Sequence, residues 1–214
     1  MITKEESFSI IIAGNWNKYI LNPGWIAKEV FEEAKIQVEF AINMGLPPRY
    51  TSTETAIRFI PADDRIILLA LKPTEESLGK MESLAIKLLD KLPYTPITAL
   101  GINFGFTEKT ENTELLKLFN FVDTDKLSDF KCIINSSNLI RRMIVEDRVL
   151  NLRITHSGKD IDFDFNFNYD VTSPNEAKTK LTNKVVENKK IAETLLKSVY
   201  DLDYDVYEEV TSHD

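Results

Sequence analysis

An α+β fold is predicted for this chain, with mostly antiparallel strands in one extended or two adjoining sheets and two main helices covering their apolar faces. Three observations carry the prediction. The stretch Asp160 to Asp170 (DIDFDFNFNYD) alternates polar and apolar residues without a break. Successive strand side chains point to opposite faces, so Ile161, Phe163, Phe165, Phe167 and Tyr169 form an apolar wall behind a polar row. Two apolar stripes at helical spacing, one after Thr74 and one after Ser173, supply cover for such walls. The remaining strands follow one another across short turns, which is the sequence form of an antiparallel meander.

Residues 7 to 14 read as a buried first strand ending at Gly14. A polar, aromatic segment follows, with Asn22-Pro23-Gly24 as turn chemistry and Trp25 to Phe31 as a short helix. Lys35 to Ile42 alternates, placing Ile36, Val38, Phe40 and Ile42 inward, and Gly45 to Pro48 must be loop. Thr53 to Ile60 and Arg65 to Leu71 form a hairpin around Pro61 to Asp64. Thr74 then caps a helix whose first turn carries Glu75 and Glu76, whose buried stripe is Leu78, Met81, Leu84, Ala85, Leu88, Leu89 and Leu92, and which Pro93 ends.

Ile97 to Phe106 is a strand with Leu100, Ile102, Phe104 and Phe106 on one face and Gly101, Asn103 and Gly105 nearly bare on the other. Such bareness admits close approach of another segment. A short helix from Asn112 to Phe119 precedes a second meander: Cys132 to Val145, Val149 to His156, and the Asp/Phe strand. Ser173-Pro174-Asn175-Glu176 is a helix start, in which the glutamate should reach back to the N–H of Ser173. The stripe Leu181, Val185, Ala192, Leu195, Leu196 and Val199 follows, with an interruption expected near Asn188, and an acidic tail bears Tyr200, Tyr204 and Tyr207. Hairpin followed by helix occurs in both halves, which suggests a pseudo-repeat without residue-level identity. We expect one compact domain over 1–214, with lobes 1–122 and 130–207 joined by a polar connection at 123–128.

The formal charge is −8 and the sequence pI about 5.0. That argues against broad electrostatic binding to nucleic acid, which needs a basic surface. No apolar run is long enough for a membrane helix or a signal peptide, so a cytoplasmic location is expected. The lone Cys132, in an apolar context, reads as a small core residue.

Asp160, Asp162 and Asp164 open like a calcium loop, but Phe165 stands where such a loop needs glycine. A row of carboxylates on one strand face could instead hold Mg²⁺ or Mn²⁺ for phosphate-ester chemistry, if a further acid joined it. The plainer reading is a solvated sheet face. Neither histidine has a second ligand at metal spacing, and no nucleophile elbow or phosphate loop is present. No cofactor is expected. Trp16, Tyr19 and Trp25 crowd one loop segment, and such aromatics serve either interfaces or core edges. Arg141-Arg142, with Arg148 and Arg153, reads as a solvated, locally basic sheet face. These features predict a non-catalytic cytoplasmic protein that binds another protein or itself; the alternative is a divalent-metal enzyme using Asp160, Asp162 and Asp164.

Overall fold

The computed structural model describes residues 1–4, 6–40, 46–109 and 113–203. The fold is α+β, with ten antiparallel strands in a single sheet. Strand β2 (Ser9–Gly14) leads to α1 (Pro23–Trp25), which continues as a π-helical turn over Ile26–Phe31. Four short strands then step outward and back: β3 (Gln37–Glu39), β4 (Arg49–Thr51), β5 (Ile57–Pro61) and β6 (Arg65–Ala70). Helix α2 (Glu75–Lys91) closes this half. The second half starts with the long strand β7 (Ile97–Lys109) and passes through α3 (Thr113–Leu116), a 3-10 turn at Lys117–Phe119 and α4 (Thr124–Asp129). The meander β8 (Ser136–Val145), β9 (Arg148–Ser157) and β10 (Asp160–Asp170) follows, and α5 (Pro174–Leu181) and α6 (Lys184–Tyr200) end it.

Across the sheet the order is β3-β4-β5-β6-β2-β7-β10-β9-β8, with β1 (Ile2–Thr3) also pairing β7. Strands β2 and β7, the first of more than two residues in each half, therefore lie side by side at the centre. Each is flanked by the last strand of its own half, β6 and β10. The segment 123–128, expected as a polar connection, forms most of α4.

Helices α2, α5 and α6 cover one face. Phe163, Phe165, Phe167 and Tyr169 of β10 and Leu100, Ile102, Phe104 and Phe106 of β7 are buried beneath them in one core. The rings meet edge to face, Phe106 with Phe165 at 5.9 Å and Phe104 with Phe167 at 6.0 Å, the arrangement aromatic quadrupoles favour. Asn188 Nδ2 donates to the Tyr169 hydroxyl (2.9 Å), and the Tyr200 ring lies 5.2 Å from that of Phe163. From 188 to 200 a helix rises about 18 Å, and from 163 to 169 a strand rises about 20 Å. The two lengths match, so α6 lies along β10 and runs against it.

Several local expectations need correction. The C-terminal stripe is broken at Thr182-Asn183, where Asn183 adopts φ 61°, and not near Asn188. Asn188 is fully buried because Tyr169 gives it a partner. Glu176 accepts from the N–H and hydroxyl of Thr172 (2.9 and 3.0 Å), while Ser173 caps Glu176 as expected. Phe40, expected inward, is 70% exposed, because β3 ends at Glu39. Val199, expected to cover the Phe wall, is exposed as well. Cys132 is exposed in the turn before β8, not in the core. Ile42, Gly45, Asn112, Tyr204 and Tyr207 lie outside the described residues.

The bare face of β7 is where the chain passes closest to itself. A Cβ on Gly105 would fall 2.6 Å from the Ser7 side chain, and the N–H of Lys4 donates to the Gly105 carbonyl (3.0 Å). The expectation of a close backbone approach is met by Lys4 and Ser7.

Candidate interaction surfaces

The three aromatic residues of the loop after β2 are not brought to one surface. Trp16 is 4% exposed, and its Nε1–H donates to the Ile12 carbonyl (3.0 Å), so its indole is spent on the core and leaves none of it for a partner. Trp25 is half-buried at the start of the π-helical turn, its N–H capped by Asn22. Tyr19 alone stands out, 84% exposed. It lines a shallow hollow of about 490 Å³ with Pro47, Pro48, Tyr50 and Pro61, and Lys18 pairs with Asp63 (3.1 Å) at its rim. The contrast yields an expected result. Trp16→Ala should cost about 3–5 kcal/mol in urea denaturation, as for other buried aromatics. Tyr19→Ala should shift the same curve by less than about 0.5 kcal/mol. Equal effects would contradict this placement.

The acidic row of β10 lies on the face opposite the helices, as the alternation requires. It is occupied from within the chain. Lys4 Nζ donates to Asp162 (2.9 Å) and to Asp164 (3.1 Å), and the Thr107 hydroxyl donates to Asp162 (2.7 Å). Burial works against the Lys4 ammonium, but the hydrogen bonds to Asp162 and Asp164 outweigh it and hold its pKa above the usual value. Asp160 sits further along, 3.9 Å from Lys109. Among the described residues no group of three or more His, Cys, Asp or Glu is placed to hold a metal ion. Beyond Lys4 the same face carries a row of side-chain amides: Asn151 donates to Asn166 (3.0 Å), Asn166 to Asn103 (2.7 Å) and Asn103 to Ser9 (3.0 Å).

Arg148 corrects the reading of a solvated basic face. At the first position of β9 it is 2% exposed, with Nη2 donating to Glu187 (2.8 Å) and Nη1 near the Tyr169 hydroxyl (3.5 Å). Desolvation opposes its charge, and Glu187 and Tyr169 more than restore it. Burial likewise pushes the Tyr169 hydroxyl up, against its bonds to Asn188 and Arg148. This cluster joins α6 to the sheet. No family model matches the chain, and no curated protein matches it.

The surface that sequence reasoning missed is the outer edge at β8. This strand ends the sheet and is paired on one side only, to β9. Among the described residues its outward backbone groups have no hydrogen-bond partner. Its other edge counterpart, β3, is three residues long, whereas β8 has ten. An open edge of that length is a template for a further strand. Exposed apolar side chains are concentrated in β8 and the chain leading into it. Among the described residues, fourteen large apolar side chains are exposed, and seven fall in this part: Phe121, Val122, Phe130, Ile133, Ile134, Ile140 and Ile144. Scattered single exposures are ordinary, but this concentration is not. The available signal was Leu139-Ile140-Arg141-Arg142-Met143-Ile144, an apolar run that does not alternate because neither of its faces is fully covered.

Proposed function

We propose that this chain is a non-catalytic interaction protein that binds another protein through the β8 edge and the apolar segment leading into it. The observation that carries the reading is the concentration of exposed apolar side chains between Phe121 and Ile144, in an open edge strand and the chain leading into it. Strand addition at such an edge gains affinity from main-chain hydrogen bonds and specificity from alternate side chains. We place the protein in the cytoplasm, because a lone, exposed thiol at Cys132 fits a reducing compartment. The alternative, a divalent-metal enzyme acting on a phosphate ester through Asp160, Asp162 and Asp164, gains no support from the row's surroundings. Lys4 sits where a cation would be needed, and no further acid joins the row among the described residues.

The test is affinity capture from the native cell with the full chain and with an Ile140→Asp/Ile144→Asp variant. Both side chains are well exposed, so the variant should keep its circular dichroism and unfolding midpoint. A stoichiometric partner captured by the wild type and lost by the variant is the expected result. A partner retained equally by both would remove this surface from the reading.

A further inference from the structure

The side chains around the open edge restrict what can add to it. On the face opposite the helices, Ile140 lies across from Arg153, Arg142 from Asn151, and Ile144 from Val149. On the helix side, Leu139, Arg141 and Met143 alternate with them. Read outward, the edge is therefore two apolar residues, two arginines and two apolar residues. Arg141, Arg142 and Arg153 are all exposed. Asp164 lies across from Arg153 in the neighbouring strand, and the Tyr200 hydroxyl accepts a hydrogen bond from Arg141. Among the described residues no carboxylate lies within ion-pair distance of Arg141 or Arg142. This is a basic edge on a protein whose formal charge is −8.

We propose that β8 accepts an extended, acidic segment of another protein, with two adjacent carboxylates set between apolar pairs. This rests on the reading of β8 as a docking edge. Residues directly opposite on neighbouring strands interact pairwise: opposite charges stabilise and like charges destabilise. A strand of pattern apolar-apolar-acid-acid-apolar-apolar places its carboxylates against Arg141 and Arg142, one on each face of the sheet. Its apolar residues meet Leu139 and Ile140 at one end and Met143 and Ile144 at the other. A second copy of this chain is the poorer occupant. Antiparallel pairing of β8 with itself about Arg141 sets Arg141 against Arg141, and pairing about Arg142 sets Arg142 against Arg142. In those central registers the arginines oppose self-association. The registers that escape the clash, about Ile140 or Met143, leave both arginines without an opposite charge, whereas an acidic partner supplies one. Edge charge is used in this way in natural sheets.

The probe is a synthetic peptide, acetyl-Thr-Val-Val-Glu-Glu-Val-Val-Thr-amide, titrated into the full-length protein and followed by amide NMR shifts. The control peptide carries Lys-Lys in place of Glu-Glu. Binding of the Glu peptide with shifts centred on residues 136–145, at least about tenfold tighter than the Lys peptide, is expected. Arg142→Glu should narrow or reverse that preference, and Arg142→Gln, which keeps a neutral polar side chain, should weaken the Glu peptide without recruiting the Lys one. Raising salt should weaken the Glu peptide selectively. Equal binding of both peptides at 136–145 would overturn the acidic partner while leaving β8 a docking edge. Shifts from neither peptide would overturn strand addition there. Whether the protein binds a partner through this surface at all is then decided separately, by the capture experiment with the Ile140→Asp/Ile144→Asp variant.

Discussion

Ending the chain after Thr172 is expected to abolish cooperative folding. The deletion removes α5 and α6, and with them Ala177, Leu181, Val185, Ala192 and Leu196, all fully buried in the described structure. It uncovers the β10 wall along which α6 lies, where Phe163 meets Tyr200 and Tyr169 meets Asn188. Each large apolar side chain returned to water costs roughly 1.5–3 kcal/mol. A handful of them therefore reaches the whole margin of about 5–15 kcal/mol that holds a domain folded. Arg148 would also lose Glu187, leaving a buried guanidinium whose principal partner in α6 is gone. The 1–172 fragment should aggregate or show collapsed amide dispersion by NMR, with no cooperative urea transition. Sharp dispersion from that fragment would refute the covering role given to these helices.

The second large effect is confined to one side chain. Phe165→Ala is expected to cost about 3–5 kcal/mol, because Phe165 is 1% exposed and packs edge to face on Phe106. Its neighbour Asp164 points the other way. There it takes one of two bonds from a lysine that is itself partly exposed. An ion pair so placed contributes little, so Asp164→Asn should change stability by less than about 1 kcal/mol. Urea denaturation of the two variants decides the matter, and a larger effect at Asp164 would invert the assignment of the faces.

What could be read from the sequence was whatever local periodicity and capping determine. The wall of β10, the Thr74 and Ser173 caps and the apolar stripe of α2 were legible because each is decided by residues a few positions apart. The strand order was not. That β2 lies beside β7 depends on pairing between residues about ninety positions apart, and neither strand carries a signal naming the other. The buried polar residues were misread for the same reason. Arg148 at a turn and Asn188 in a helix look solvated until Tyr169 and Glu187 arrive from other elements to pair the Arg148 Nη atoms and Asn188 Nδ2. The edge at β8 was hidden because an edge is defined by the strand that is missing from one side. Only the assembled sheet shows which side that is.

The strand β10 is repetitive enough that sliding it by two residues would leave every inward and outward assignment intact. Slid one way, Asp164 would stand where Asn166 now bridges Asn103 and Asn151. A carboxylate only accepts hydrogen bonds, so the donor that Asn166 gives to Asn103 would be lost. Slid the other way, Asn168 would enter the amide row and Asp164 would reach Thr107, so the polar face would tolerate the error. The apolar face would not. Tyr169 would take the place of Phe167, carrying its hydroxyl about 7 Å from Asn188 and Arg148 into a wall of hydrocarbon. The helix-side face rejects both slips, since either one takes the Tyr169 hydroxyl from Asn188 and Arg148, and the amide row rejects one of them again. Together they single out one alignment from three that hydrophobicity alone would accept.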